Sequence, residues 1–176
     1  NRDNNLTVTY NSVTGTADSA TIQLNSTSAA STFGTVTAAG IETITVNSNG
    51  GADATYTIRA DDATTLNIQA AADSGGTVTT YAEKVTSVVV TASDDLTLND
   101  NTARLDKAFS YTFDVASGAT VTAQDLTPTD TTGADTLKLT VKGAGKAVLS
   151  SDQNWGFQDS TNNDTIEVDA SENSGG

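Results

Sequence analysis

Ile22-Gln23-Leu24, Ile44-Thr45-Val46, Leu66-Asn67-Ile68 and Val88-Val89-Val90 are short apolar-x-apolar stretches set at intervals of 22 residues. Strict alternation over a few residues marks a strand with one face buried, because successive side chains on a strand point to opposite sides. The interval does more. Ile22, Ile44, Leu66 and Val88 form one evenly spaced column, and Leu24, Val46, Ile68 and Val90 form a second. A fixed period of some 20 to 50 residues is the signature of a repeat architecture. With only strands and turns inside each period, the chain is expected to wind as a β-solenoid, a parallel β-helix-like stack of short strands in coils of about 22 residues. The columns then become an interior ladder at the ordinary interstrand spacing of about 4.8 Å. A β-sandwich with strands of similar spacing is the competing architecture.

Outward from these columns the pattern weakens in an orderly way. Val36 and Ile58 hold the same offset, but the next position is Thr80. Further alternating stretches lie at Leu6–Tyr10, Leu96-Thr97-Leu98, Leu137–Val141 and Ile166-Glu167-Val168. Turn-forming clusters separate them at Asn47–Gly51, Asp61-Asp62, Asp73–Gly76 and Ser93–Asp95, where side chains bond their own backbone or glycine supplies positive φ. No stretch has helical period; Ala103–Ala108 offers one turn at most. Past residue 90 the register drifts through Phe109, Tyr111 and Phe113 to Leu137. Residues 1–100 therefore read as regular coils, and 101–176 as a less regular β region, either a continuation of the same solenoid or a second small module. That second region holds Arg104, Lys107, Lys138, Lys142 and Lys146, with Pro128 and Trp155.

Composition agrees with an all-β fold and removes much chemistry. Thr supplies 33 of the 176 residues, and it is β-branched, fitting a pleated surface better than a helix. The formal charge is -14, from 8 Lys and Arg against 22 Asp and Glu, which disfavours nucleic acid as a partner. With no His and no Cys, imidazole bases, the histidine-dependent nucleophile pairs, thiolate metal sites and disulfides are ruled out. No apolar run approaches a membrane span and no signal pattern opens the chain. The start at Asn1 and the close at Ser174-Gly175-Gly176 read as those of a piece of a larger protein.

The candidate site chemistry is carboxylate chemistry. Asp61-Asp62 and Asp94-Asp95 each place two like charges in a turn, where a divalent cation would relieve the repulsion. Ca2+ takes such oxygen ligands, whereas the same residues also serve as Asx turns on a solvated surface. Gly133-Ala134-Asp135-Thr136-Leu137 matches the second half of the calcium nonapeptide G-G-x-G-x-D-x-U-x, making Asp135 a further candidate ligand. Gly50-Gly51-Ala52-Asp53 matches only the glycine pair. Paired carboxylates can hydrolyse glycosides, but aromatics are only 5% of residues. Arg59, near Asp61 and Asp62, reads as their surface ion-pair partner. Trp155-Gly156-Phe157 reads as a local hydrophobic plug or a sugar platform. No catalysis is expected.

Gly40-Ile41-Glu42-Thr43-Ile44-Thr45-Val46 resembles a phrase that recurs in large bacterial surface-layer proteins and related repetitive surface proteins, which are commonly exported by type I secretion. Val85–Val90 reads as a variant of it, and Thr131–Leu139 resembles their "TGADTLTL" phrase. The resemblance implies a secreted, β-rich array on the bacterial cell surface that self-assembles with identical subunits into a lattice, with calcium as cofactor and a cell-surface glycan as a candidate partner. A spacer or ligand-binding segment of a large adhesin shares the same vocabulary.

Overall fold

The computed structural model describes residues 6–9, 13, 15–26, 31–50, 53–71, 75–101, 108–124, 126, 136–150 and 165–175. They form no helix and fourteen strands. Seven of these, β1 (Leu6–Thr9), β3 (Ser31–Ala39), β5 (Ala54–Arg59), β7 (Gly76–Tyr81), β9 (Leu96–Asp100), β11 (Thr120–Gln124) and β13 (Lys146–Leu149), make one sheet, paired in that order. The even-numbered strands make the other: β2 (Ser19–Ser26), β4 (Thr43–Gly50), β6 (Thr65–Ala70), β8 (Ser87–Ala92), β10 (Ala108–Val115), β12 (Thr136–Gly143) and β14 (Thr165–Asn173). Every pairing is parallel, so the chain crosses from one sheet to the other and back as it climbs. The protein is a two-sheet β-solenoid with coils of about 23 residues. Both sheets run on past residue 100, with β10 pairing with β8 and β11 with β9.

The aliphatic ladder exists, with one correction. Ile44, Leu66 and Val88 stand side by side, and so do Val46, Ile68 and Val90. Ile22, however, pairs with Val46, and it is Ala20 that precedes Ile44 in the column. The first step is thus 24 residues and not 22. Two extra residues leave the alternation intact, so Ile22 still faces inward and is 6% exposed. The weaker column is also real: Val36, Ile58, Thr80 and Asp100 are successive partners in the other sheet. Beyond residue 90, Tyr111 continues from Val88 and Phe113 from Val90, and Leu137 lies beside Phe109. Tyr111 and Phe113 stack with centroids 6.0 Å apart, while Phe109 meets Tyr111 edge-on at 6.2 Å.

Another expectation fails locally. Asn47–Gly50, a turn by composition, belongs to β4, because Ser48 continues an inward column between Leu24 and Ala70 and is buried. Pairing on both flanks outweighs the residues' own turn preference. The corner at Asp61-Asp62 is a turn as expected, and Ser93-Asp94 form a bend.

The ladder predicts where a methylene matters. Ile68 is 0% exposed and Ile166, at the C-terminal end, is 42% exposed. Ile68→Val is expected to cost about 0.5–1.5 kcal/mol in denaturant unfolding. Ile166→Val should stay within about 0.5 kcal/mol of wild type, because the position is not enclosed.

Candidate functional site

Among the described residues, polar side chains gather at two corners and in a cleft. At the first corner the 22-residue step stacks Ile41, Ala63 and Val85, all buried, beneath a surface row of Gly40, Asp62 and Lys84. Backbone bonds hold this staircase: Thr64 N–H donates to the Glu42 carbonyl and Thr86 N–H to the Thr64 carbonyl. Asp62 ties three coils together. One carboxylate oxygen accepts from Gly40 N–H at 3.0 Å, and the other pairs with Lys84 Nζ at 2.8 Å. Lys84 and Gly40 accordingly hold the Asp62 carboxyl below the usual carboxylate range, and Asp62 raises the Lys84 ammonium above its ordinary value. The partner of Asp62 is therefore Lys84, one coil on. Arg59 lies over the Tyr81 ring, 4.6 Å from its centroid, an arrangement that attracts a cation to the ring face. Asp61 is exposed at the same corner.

The sign of the pH dependence follows. The Asp62 contribution is in place above the carboxyl's unfolded value and is lost as pH falls through its depressed folded value. The Lys84 contribution is in place below its unfolded value and is lost as pH rises through the raised one. In Lys84→Ala, the Asp62 pKa should move up toward the ordinary carboxylate value while Gly40 N–H keeps it partly depressed. Carboxyl-detected NMR titration measures this; an unmoved titration would show that the pair does not persist in solution.

At the opposite corner Asp94 accepts from the Asp95 N–H at 2.8 Å. Asp95 accepts from Thr120 N–H at 2.7 Å, one coil further on. The Asp94-Asp95 pair thus caps its own turn and reaches across to the next coil. Asp135 lies outside the described residues, as do Trp155-Gly156-Phe157. Among the described residues no three acidic side chains gather where they could hold a metal ion.

What the sequence did not signal is a cleft of about 470 Å³ on the odd-strand sheet, lined by Asp53, Gly76, Thr77, Asp95, Leu96, Thr97, Thr120 and Thr122. Gly76 pairs with Ala54 on one side and Leu96 on the other, so Asp53 and Asp95, which precede those residues, stand two strands apart. That is roughly 9–10 Å between backbones. Gly75 lies between them, and a Cβ there would come 2.1 Å from the Asp95 carbonyl oxygen. Four threonines, Thr77, Thr97, Thr120 and Thr122, supply half of its lining residues. Such a cleft can accept and donate hydrogen bonds to a hydroxyl-rich ligand or a hydrated cation. The Gly75-Gly76 pair, sited between two Asp residues at near-coil spacing, was the available signal.

A second unsignalled group lies in the core. Asp100 is 2% exposed. It accepts from the Thr80 hydroxyl at 2.9 Å and from the Tyr111 hydroxyl across the core. Tyr56, also buried, has a hydroxyl with no hydrogen-bond partner among the described residues, and burial pushes its pKa up.

By fold and surface, then, the described residues form a two-sheet parallel β-solenoid with acidic inter-coil corners and an open polar cleft. No family model, curated protein or solved structure matches it.

Proposed function

We propose that this chain is a structural, non-catalytic segment of a self-assembling protein lattice on the outside of a bacterial cell. The observation that carries the reading is the stacking itself: among the described residues each coil pairs in parallel with the next in both sheets, so that one ladder of buried side chains runs from Ala20 to Leu139. A stack in which each repeat is stabilised mainly by its neighbours is suited to be one section of an array. Identical subunits then associate side by side through the outer faces of the sheets. The charge of -14 opposes that contact, and calcium, bridging or screening the exposed carboxylates, permits it. The cleft between Asp53 and Asp95 favours a second reading, a segment of an adhesin that binds a cell-surface glycan.

Electron microscopy and light scattering of the concentrated protein, with Ca2+ and with chelator, test the first reading. Ordered sheets that disperse on chelation are expected. Assembly indifferent to chelator would remove the calcium link, and a monomer at every Ca2+ level that binds glycan would favour the adhesin segment.

A further inference from the structure

The outer face of the odd-strand sheet is a grid of threonines. One rank runs Thr32, Thr55, Thr77, Thr97 and Thr122, each the direct partner of the next in successive strands. The rank beside it runs Thr35, Thr57 and Thr79 and continues as Asn99 and Gln124. From β5 to β11 a single inward residue separates the two ranks, and those residues, Tyr56, Val78, Leu98 and Ala123, are buried. β3 reaches both ranks across a bulge. Strands β5, β7 and β9 are each paired on both flanks, so the backbone fixes the grid before any ligand arrives.

The preference of threonine for strands does not by itself explain this. The even-strand sheet is built from the same composition, yet its corresponding outward rank is mixed: Thr21, Thr45, Asn67, Val89 and Thr112. There the Thr45 hydroxyl accepts from the Asn67 side chain at 3.2 Å, and the side chains differ in length. The threonine grid also carries no charge, in a chain of net charge -14. Asp61, Asp62, Asp94 and Asp95 lie at the corners, and Arg59 lies outside the second rank, over the Tyr81 ring. The cleft already described borders the first rank on its other side.

Spacing identifies the ligand. Strand geometry sets neighbours within a rank about 4.8 Å apart and the two ranks about 6.6 Å apart, both within roughly a tenth of the two oxygen repeats on a prism face of hexagonal ice. A hydroxyl at each point can donate and accept as a lattice oxygen does, and the methyl group beside it fits the open space between oxygens. One hydroxyl gains nothing from ice over liquid water. Many held at the lattice spacing engage one crystal together, and linked contacts multiply. We propose that the threonine face of the odd-strand sheet binds ice. The inference goes beyond the lattice reading and does not rest on it; it leaves the even-strand sheet for contacts between subunits.

The test grows ice slowly through a dilute solution of the full chain and measures how much protein enters the solid. Several-fold enrichment over a globular control protein of similar size is expected, with faceted crystals under the microscope. Thr57→Tyr with Thr79→Tyr keeps residues that suit a strand but breaks the grid; with its fold checked by circular dichroism, this variant should be excluded from ice like the control. Thr45→Tyr with Thr112→Tyr, on the other sheet, should be taken up as wild type is. Exclusion of the wild-type chain overturns the proposal, and so does equal loss from both variants. Retention on insoluble cellulose or chitin combined with exclusion from ice also overturns it, since a solid polysaccharide is then what the grid holds. Because uptake is read on dilute protein, failure of lattice assembly leaves this result unaffected.

Discussion

Asp100→Ala is expected to destabilise the fold by about 1–3 kcal/mol for each of the two buried hydroxyl hydrogen bonds that it deletes. Asp100 sits at the end of β9, at an inward position of one sheet, and Tyr111 sits inward on β10 of the other. Their hydrogen bond crosses the core, and the Thr80 hydroxyl joins it one coil below. Alanine would take from both hydroxyls the carboxylate to which they donate, at a buried position, so that the desolvation of each is less fully offset. Asp100→Asn keeps an acceptor oxygen, so it should cost only about 1–2 kcal/mol. Denaturant unfolding of the two variants separates the cases. Equal midpoints for wild type and Asp100→Ala would show that the two sheets are not tied at this point.

That group also explains where sequence reading stopped. The column Val36, Ile58, Thr80 looks broken at its third member when only apolar residues are counted. In the fold the column continues, and two successive polar members, Thr80 and Asp100, satisfy each other. Nothing local in the sequence places Tyr111 opposite them, because that contact joins the two sheets. The displaced first coil has a similar cause. Inserting two residues into a coil preserves which face each side chain takes, so Ile22 is apolar and inward whether it meets Ile44 or Val46. Periodicity fixes the face but leaves the register open by even numbers.

The surface divides on the same ground. Asp61-Asp62 and Asp94-Asp95 were legible as turns because their residue types favour turns on their own. Their partners were not. Adjacency suggested Arg59 for Asp62, whereas the stack brings up Lys84, exactly one period away and so visible only once coils are counted. The cleft was hidden for a further reason: the acids on its rim, Asp53 and Asp95, belong to different coils, and the close strand approach at Gly75 and Gly76 shows only in the fold.

Adding a side chain at Gly76 should have the other large effect. Gly76 has φ of +121°, a conformation L side chains rarely adopt, and a Cβ there would lie 2.3 Å from the Ala54 carbonyl oxygen and 2.8 Å from its nitrogen. Both contacts are backbone of the neighbouring strand, which cannot swing aside without breaking its pairing with β7. Gly76→Val combines backbone strain of about 1–3 kcal/mol with an overpacking cost of about 1–3 kcal/mol, so a loss of roughly 2–6 kcal/mol is expected. Gly118 is the control. It too has positive φ, at +85°, but a Cβ there meets nothing within 4 Å. Gly118→Ala should therefore cost only the strain, about 1 kcal/mol. Thermal or denaturant unfolding of the pair decides between the causes: similar losses would make backbone conformation the whole effect, whereas a larger loss at Gly76 identifies the close approach of β5 as what the glycine is there to permit.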